Sequence, residues 1–177
     1  MTRLSAEELK QKLSLEPHPC EGGWFRQIWQ ADETIAGESL PPRYAAAREQ
    51  EHAARVAGTC IYYLLEPGTF SEMHRLASDE IFHFYYGDPV EMLQIAPDGR
   101  AERFLLGSDL AEGQHCQLIV PKHTWQGSRL VTGGECALLG CTVSPGFDYA
   151  DYESGTRASL AGKAGEFEDL LLALTRE

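Results

Sequence analysis

Nowhere does this chain carry an apolar run of about 18 residues, the length a helix needs to cross a bilayer. Its first residues, MTRLSAEELKQKL, hold no apolar stretch of signal-peptide length. A CxxC pair is also missing. The five cysteines, Cys20, Cys60, Cys116, Cys136 and Cys141, are scattered and odd in number, which reads as reduced, mostly buried thiols rather than a disulfide framework. Basic residues are scarce: 15 Lys and Arg stand against 27 Asp and Glu, a net charge of -12. The clusters of Lys and Arg needed to neutralise phosphates do not occur, so neither nucleic acid nor an anionic membrane is expected as a partner. The expectation is a soluble, cytoplasmic protein.

What is present suits one domain with a proper core. At 177 residues the chain is too short for two domains of ordinary size, and 43% hydrophobic with 24% charged residues is an ordinary globular composition. Ser5 followed by Glu8 has the spacing of a capping box, and Leu4, Leu9 and Leu13 follow it at helical spacing, so a short amphipathic helix opens the chain until Pro17 and Pro19 break it. The run GEFEDLLLALTRE predicts a closing helix that packs Phe167, Leu170, Leu171 and Leu174 inward.

Between these helices the sequence is punctuated for strands. WFRQIWQ alternates over 24–30, with Trp24, Arg26 and Ile28 on one face and Phe25, Gln27 and Trp29 on the other. After it come TCIYYLLEPG, TFSEMH, DEIFHFYYGDP, VEMLQIAPDG, RFLLG, HCQLIVP, TWQGSRL and ECALLGCTV, each closed by turn residues. Pro97-Asp98-Gly99 marks a hairpin. Many short strands without alternating helices predict an antiparallel barrel or jelly roll. Residues 31–56 read as an insertion between strands, a surface excursion with a helix over 43–56.

The stretch GTFSEMHRLASDEIFHFYYG, 68–87, organises the rest. It sets Gly68 six residues before His74, Glu80 six after, and Gly87 seven beyond that. This spacing resembles the first signature of the cupin superfamily. HPCEGGWFRQIW, SDEIFHFYYGDP, VPKHTWQ and GCTVSPGFDYADYE resemble its uncharacterised DUF985 branch, which is described as sugar epimerase-like. The resemblance implies an all-β fold, a single double-stranded β-helix (jelly-roll barrel) over 1–177 with short terminal helices. It also implies a pocket whose metal is held by three histidines and a glutamate. Here Leu76 stands in place of the second histidine, and Pro121, His123 and Gln126 stand where the second motif has proline, glycine and histidine. His74, Glu80 and Gln126 would hold a divalent metal only weakly, because a glutamine oxygen is a poor ligand beside an imidazole.

His74 and Glu80 lie an even number of residues apart, so both can face the barrel interior, as a base pair or as half of a metal site. His83, three from Glu80, points to the other face. His18 and His115 read as surface or capping residues, and His52 has no site role. Arg26 is a candidate for grasping an anion through its planar fork. Phe82, Phe84 and Trp125 are candidates for an apolar ligand wall, with Gln126 and His123 beside them. Asp148 and Asp151 are placed to cap the barrel mouth.

Three functions follow. The first is binding of a small polar metabolite in the barrel. The second is a metal-independent sugar-nucleotide epimerase or isomerase, in which His74 abstracts a proton, Glu80 orients it, Tyr62 or Tyr85 returns one, and Arg26 holds the anionic part. The third is a non-enzymatic, storage-like barrel. Strand-edge pairing into a homodimer is expected in each case.

Overall fold

The structure, a computed structural model, describes residues 3–44 and 54–176. Helix α1 (Ala6–Leu13) opens with the expected capping box: Ser5 Oγ accepts from the Glu8 N–H, and Glu8 reaches back to the Ser5 N–H. Strand β1 (Glu16–Pro17) follows and pairs with β2 (Trp24–Gln30). In chain order the remaining strands are β3 (Thr34–Ile35), β4 (Arg55–Val56), β5 (Thr59–Leu65), β6 (Phe70–Leu76), β7 (Asp79–Gly87), β8 (Val90–Ile95), β9 (Ala101–Leu106), β10 (Gln117–Val120), β11 (Trp125–Leu130), β12 (Ala137–Ser144) and β13 (Tyr152–Ser154). Two short helices close the chain, α2 (Arg157–Leu160) and α3 (Glu168–Ala173).

Two antiparallel sheets face each other as a jelly-roll barrel. One has the order β1-β2-β5-β12-β7-β10 and the other β13-β6-β11-β8-β9. Period-2 alternation sends every second side chain between them. Tyr63, Leu65, Phe82, Val90, Met92, Leu106 and Leu139 make the shared core, each almost fully buried. The β8–β9 hairpin turns at Gly99, whose φ of 88° is costly for any side-chain-bearing residue. The eight strand-like runs after β2 all become strands.

The outer faces are covered by the terminal helices. Leu9 of α1 packs on Leu64 and Leu138 of the first sheet. Leu170, Leu171 and Leu174, in and just after α3, pack on Met73, Leu93 and Ile95 of the second. A six-residue helix is unstable alone, so this docking, at about 1.5–3 kcal/mol for each fully buried leucine, is what holds α3. Among the described residues no helix is long and apolar enough to cross a membrane.

The 31–56 segment departs from expectation. A 3-10 turn occupies Pro42–Tyr44 and a strand Arg55–Val56, so neither end of the expected 43–56 helix is α-helical; 45–53, with His52, lie outside the described residues. Nor is the segment a loose excursion where it leaves and rejoins the barrel. Tyr44 is fully buried, its hydroxyl 2.8 Å from Ser78 Oγ, and Arg43 Nε donates to the Ala77 carbonyl at 2.9 Å. Arg55 grips Asp151 with two donors, at 2.6 and 2.9 Å. That grip gives Asp151 a structural partner, while Asp148 caps the 3-10 turn Tyr149–Asp151 through the Ala150 N–H.

Candidate functional site

A cavity of about 180 Å³ lies at one end of the barrel. Phe25, Ile61, Val143 and Phe147 form its apolar wall, and His18, Glu21, His74 and Glu80 its polar end. The sequence builds that end from two places. One is β6, where Gln126 pairs with His74 but Ser128 pairs with Ser71, so β6 carries one extra residue. This bulge lets Ser71 and His74, three apart, both reach Glu21. The other is the loop before β2. Gly22 has φ 106°, and a Cβ there would meet the Phe70 carbonyl oxygen at 2.3 Å, so only glycine permits the close approach. Tyr63 O–H then donates to the Gly22 carbonyl at 2.7 Å, and Ser71 Oγ donates to Glu21 Oε1. The Glu21 carboxylate is thereby fixed facing the cavity.

His74 is 2% exposed and stacks on Tyr152 with ring centroids 5.0 Å apart. Its Nδ1 is 2.7 Å from the Glu72 carbonyl oxygen, which can only accept, so Nδ1 carries the hydrogen. Nε2 is left as a bare acceptor, 3.3 Å from Gln126 Nε2 and 3.9 Å from Glu21 Oε1. Glu80 accepts from Gln126 Nε2 at 2.5 Å. Burial, reinforced by the Glu21 charge, pushes the Glu80 carboxyl up to about 7, against the pull of His74, Gln126 and the Cys141 thiol. It therefore changes charge near neutrality.

The expected metal ligands do not fit a divalent ion. Gln126 turns a donor, Nε2, toward both His74 Nε2 and Glu80 Oε2, filling the space a cation would share. Its one potential metal-binding atom, Oε1, is buried without a partner. Among the described residues no three His, Cys, Asp or Glu side chains converge as a metal-holding group.

Of the residues singled out from sequence, His74, Glu80 and Gln126 are brought together. The others are not. Arg26 alternates with Phe25 and Gln27, which line the cavity, and so points out, donating to the Leu13 carbonyl at 3.0 Å. Tyr62 neighbours the cavity-lining Ile61 and lies on the outer face, with its ring edge against Tyr85. Tyr85, five residues from Glu80, is on that same outer face, 48% exposed and stacked on His83. Neither tyrosine can return a proton to the pocket. Phe82 and Phe84 share the face of Glu80 but sit deeper, Phe82 buried in the core and Phe84 half-buried against it. Trp125, next to Gln126, faces the opposite way, packed toward α3 with the Arg75 guanidinium over its ring. His123 occupies a turn at φ 65° in a separate cleft with Arg43 and Arg75.

Two residues of the polar end escaped sequence reasoning. His18 is not on the surface: its side chain is 4% exposed and packs edge-on against Phe25. Glu21, given no site role from sequence, lies between the two histidines. The Glu-Gly-Gly run was the available signal, since paired glycines before a strand mark a close backbone approach.

A family model described as Cupin superfamily (DUF985) matches residues 7–155. The chain belongs to that family. This cupin is 30% identical to the Shewanella oneidensis protein SO0799, with a TM-score of 0.80 and 98% of each chain covered. It is likewise 30% identical to a hypothetical protein from Leishmania major, with a TM-score of 0.82, covering 98% of this chain and 100% of the other. The uncharacterised Saccharomyces cerevisiae protein YML079W is 28% identical over 135 residues, 75% of this cupin but 66% of the yeast chain, just under two thirds of its length. A Bacillus subtilis oxalate decarboxylase variant matches at 15% identity and a TM-score of 0.52, covering 92% of this chain and 36% of its own, which speaks to fold alone.

Proposed function

We propose that this cupin binds a small, uncharged, partly apolar metabolite in the barrel, and that His74 and Glu80 serve a proton transfer on it. The observation that carries this reading is the locked His74 ring. Its bare Nε2 is held beside a buried carboxyl that titrates near neutrality, the pairing general acid–base chemistry needs. Among the described residues no Lys or Arg lines the cavity, while the carboxyl groups of Glu21 and Glu80 do. An anionic ligand would meet uncompensated negative charge in a poorly screened space. The cavity is also well below the roughly 300–1,000 Å³ that drug-sized ligands occupy. Both points weigh against a nucleotide sugar. The isomerase-type reading is retained for a small uncharged substrate, and a storage role leaves the two histidines and two carboxyl groups at the cavity without a use.

The test is native mass spectrometry of the protein as expressed, followed by NMR of small hydroxycarbonyl compounds in heavy water. A co-purifying small neutral compound and protein-dependent deuterium uptake, lost in His74→Gln, are expected. Absence of both a co-purifying compound and any binding from the panel would overturn the reading.

A further inference from the structure

The two histidines at the polar end are fixed by the main chain in opposite tautomers. His18 Nδ1 accepts the Glu21 N–H at 2.9 Å and the Cys20 N–H at 3.4 Å. A ring nitrogen that accepts a backbone N–H has no hydrogen of its own, so the hydrogen of His18 is on Nε2. His74 is the reverse, with the hydrogen on Nδ1 and Nε2 bare. Both rings line the same cavity, on either side of the Glu21 carboxylate, which lies 3.7 Å from His18 Nε2 and 3.9 Å from His74 Nε2. At 3.7 Å the His18 N–H is beyond hydrogen-bond reach of Glu21 and remains available to a ligand oxygen. Burial also lowers the affinity of His18 for a second proton, which keeps the ring a neutral donor.

We infer that the pocket is built for an enolisable carbonyl compound, with His18 Nε2–H donating to the carbonyl oxygen while His74 Nε2 takes the proton from the adjacent carbon. The inference rests on the reading that a small uncharged metabolite occupies the cavity, and it adds the substrate class and a second catalytic residue. In the step, the C–H bond next to the carbonyl breaks and its proton goes to His74 Nε2. The freed electron pair forms a C=C bond, and the carbonyl π pair moves to oxygen, where the His18 N–H stabilises it as an oxyanion-hole donor does. Where the deprotonated carbon also carries a hydroxyl, return of the proton from His74 to the former carbonyl carbon, with the hydroxyl proton passing to the former carbonyl oxygen, gives the isomeric hydroxycarbonyl compound. Nothing is oxidised or reduced overall.

The experiment has two arms on the full chain. In the ligand-free protein, nitrogen-15 NMR of the imidazoles is expected to show His18 unprotonated at Nδ1 and His74 unprotonated at Nε2; His18 protonated at Nδ1 overturns the proposal whatever binds. In the second arm, small hydroxyketones and hydroxyaldehydes are compared with the corresponding diols. Wild type is expected to bind both and to exchange deuterium only into the carbonyl compounds. His18→Phe is expected to slow exchange roughly 100-fold, the loss typical of one oxyanion donor, while diol binding persists, and His18→Gln, which keeps an N–H, recovers part of the rate. Diol binding without exchange, or exchange indifferent to His18→Phe, overturns this inference and leaves the binding reading standing. No binding of either class defeats that reading itself.

Discussion

The same strands fill one end of the barrel and leave the other hollow. On β7, Glu80 faces the cavity, whereas Phe82, two residues on and on the same face, is 1% exposed in the core. On β12, Cys141 and Val143 line the cavity and Leu139 is fully buried. On these two strands the pairing runs unbroken from Leu139–Phe84 through Cys141–Phe82 to Val143–Glu80, so here the difference lies in side-chain size and polarity. At the filled end, bulky apolar groups interdigitate to the density of a solid. At the hollow end the polar groups face a void and are held by hydrogen bonds to backbone and to one another. Stability and chemistry are thus separated along one axis, and changes at the two ends should have effects of opposite sign.

The largest effect belongs to the filled end. Phe82→Ala removes a ring from a site with almost no exposure, and urea unfolding is expected to show a loss of about 3–5 kcal/mol. A loss below about 1 kcal/mol would mean that the two ends are not packed differently after all.

At the hollow end the sign reverses with pH. The Glu80 carboxyl is raised from 4.5 to about 7 by burial, then by the Glu21 charge. As pH rises, the unfolded chain releases this proton near 4.5 and the folded chain only near 7, so the folded state loses relative stability across that window. The shift corresponds to about 3 kcal/mol, fully developed above pH 7 and absent below 4.5. Glu80→Gln keeps an acceptor for Gln126 without the charge. It is expected to raise the melting temperature at pH 8 and leave it nearly unchanged at pH 4, at the expense of the proton-transfer pair. Equal melting shifts at the two pH values would show that Glu80 titrates normally.

This contrast explains what was legible beforehand. That His74 and Glu80 both reach the interior was read from their even separation, yet they stand on facing sheets, β6 in one and β7 in the other, so the outcome depends on the turn between the strands as well as on alternation within them. Phe82 and Phe84 have the right parity too, but depth along the barrel axis is not encoded in alternation, so parity alone could not decide between ligand wall and core. For Arg26 the two faces of β2 were visible, and only the partner sheet decides which is inside. Trp125 sits one residue from Gln126, which faces inward, so adjacency misled where parity would have excluded it. The longer strands, β2 and β5–β12, were readable because turn residues punctuate them, whereas the two- and three-residue strands β1, β3, β4 and β13 carry no such signal. His18 and Glu21 were not readable either, because a loop has no period and their position follows from Gly22 meeting the Phe70 backbone.

The smallest expected effect sharpens the boundary between pocket and exterior. Arg26 was the natural candidate to hold an anionic ligand, being a bidentate donor on a strand that borders the cavity. Its guanidinium instead caps the end of α1 at the Leu13 carbonyl, on the exposed side of β2. A cation at a helix C-terminus contributes about 0.3–1 kcal/mol where it is exposed. Arg26→Ala should therefore lower stability by less than about 1 kcal/mol in urea unfolding and leave the affinity for any co-purifying compound unchanged by calorimetry. If affinity fell tenfold with stability intact, Arg26 would have to swing around the strand edge to meet the ligand. The cavity would then recruit positive charge from outside, and the preference for uncharged ligands argued from its lining would no longer hold.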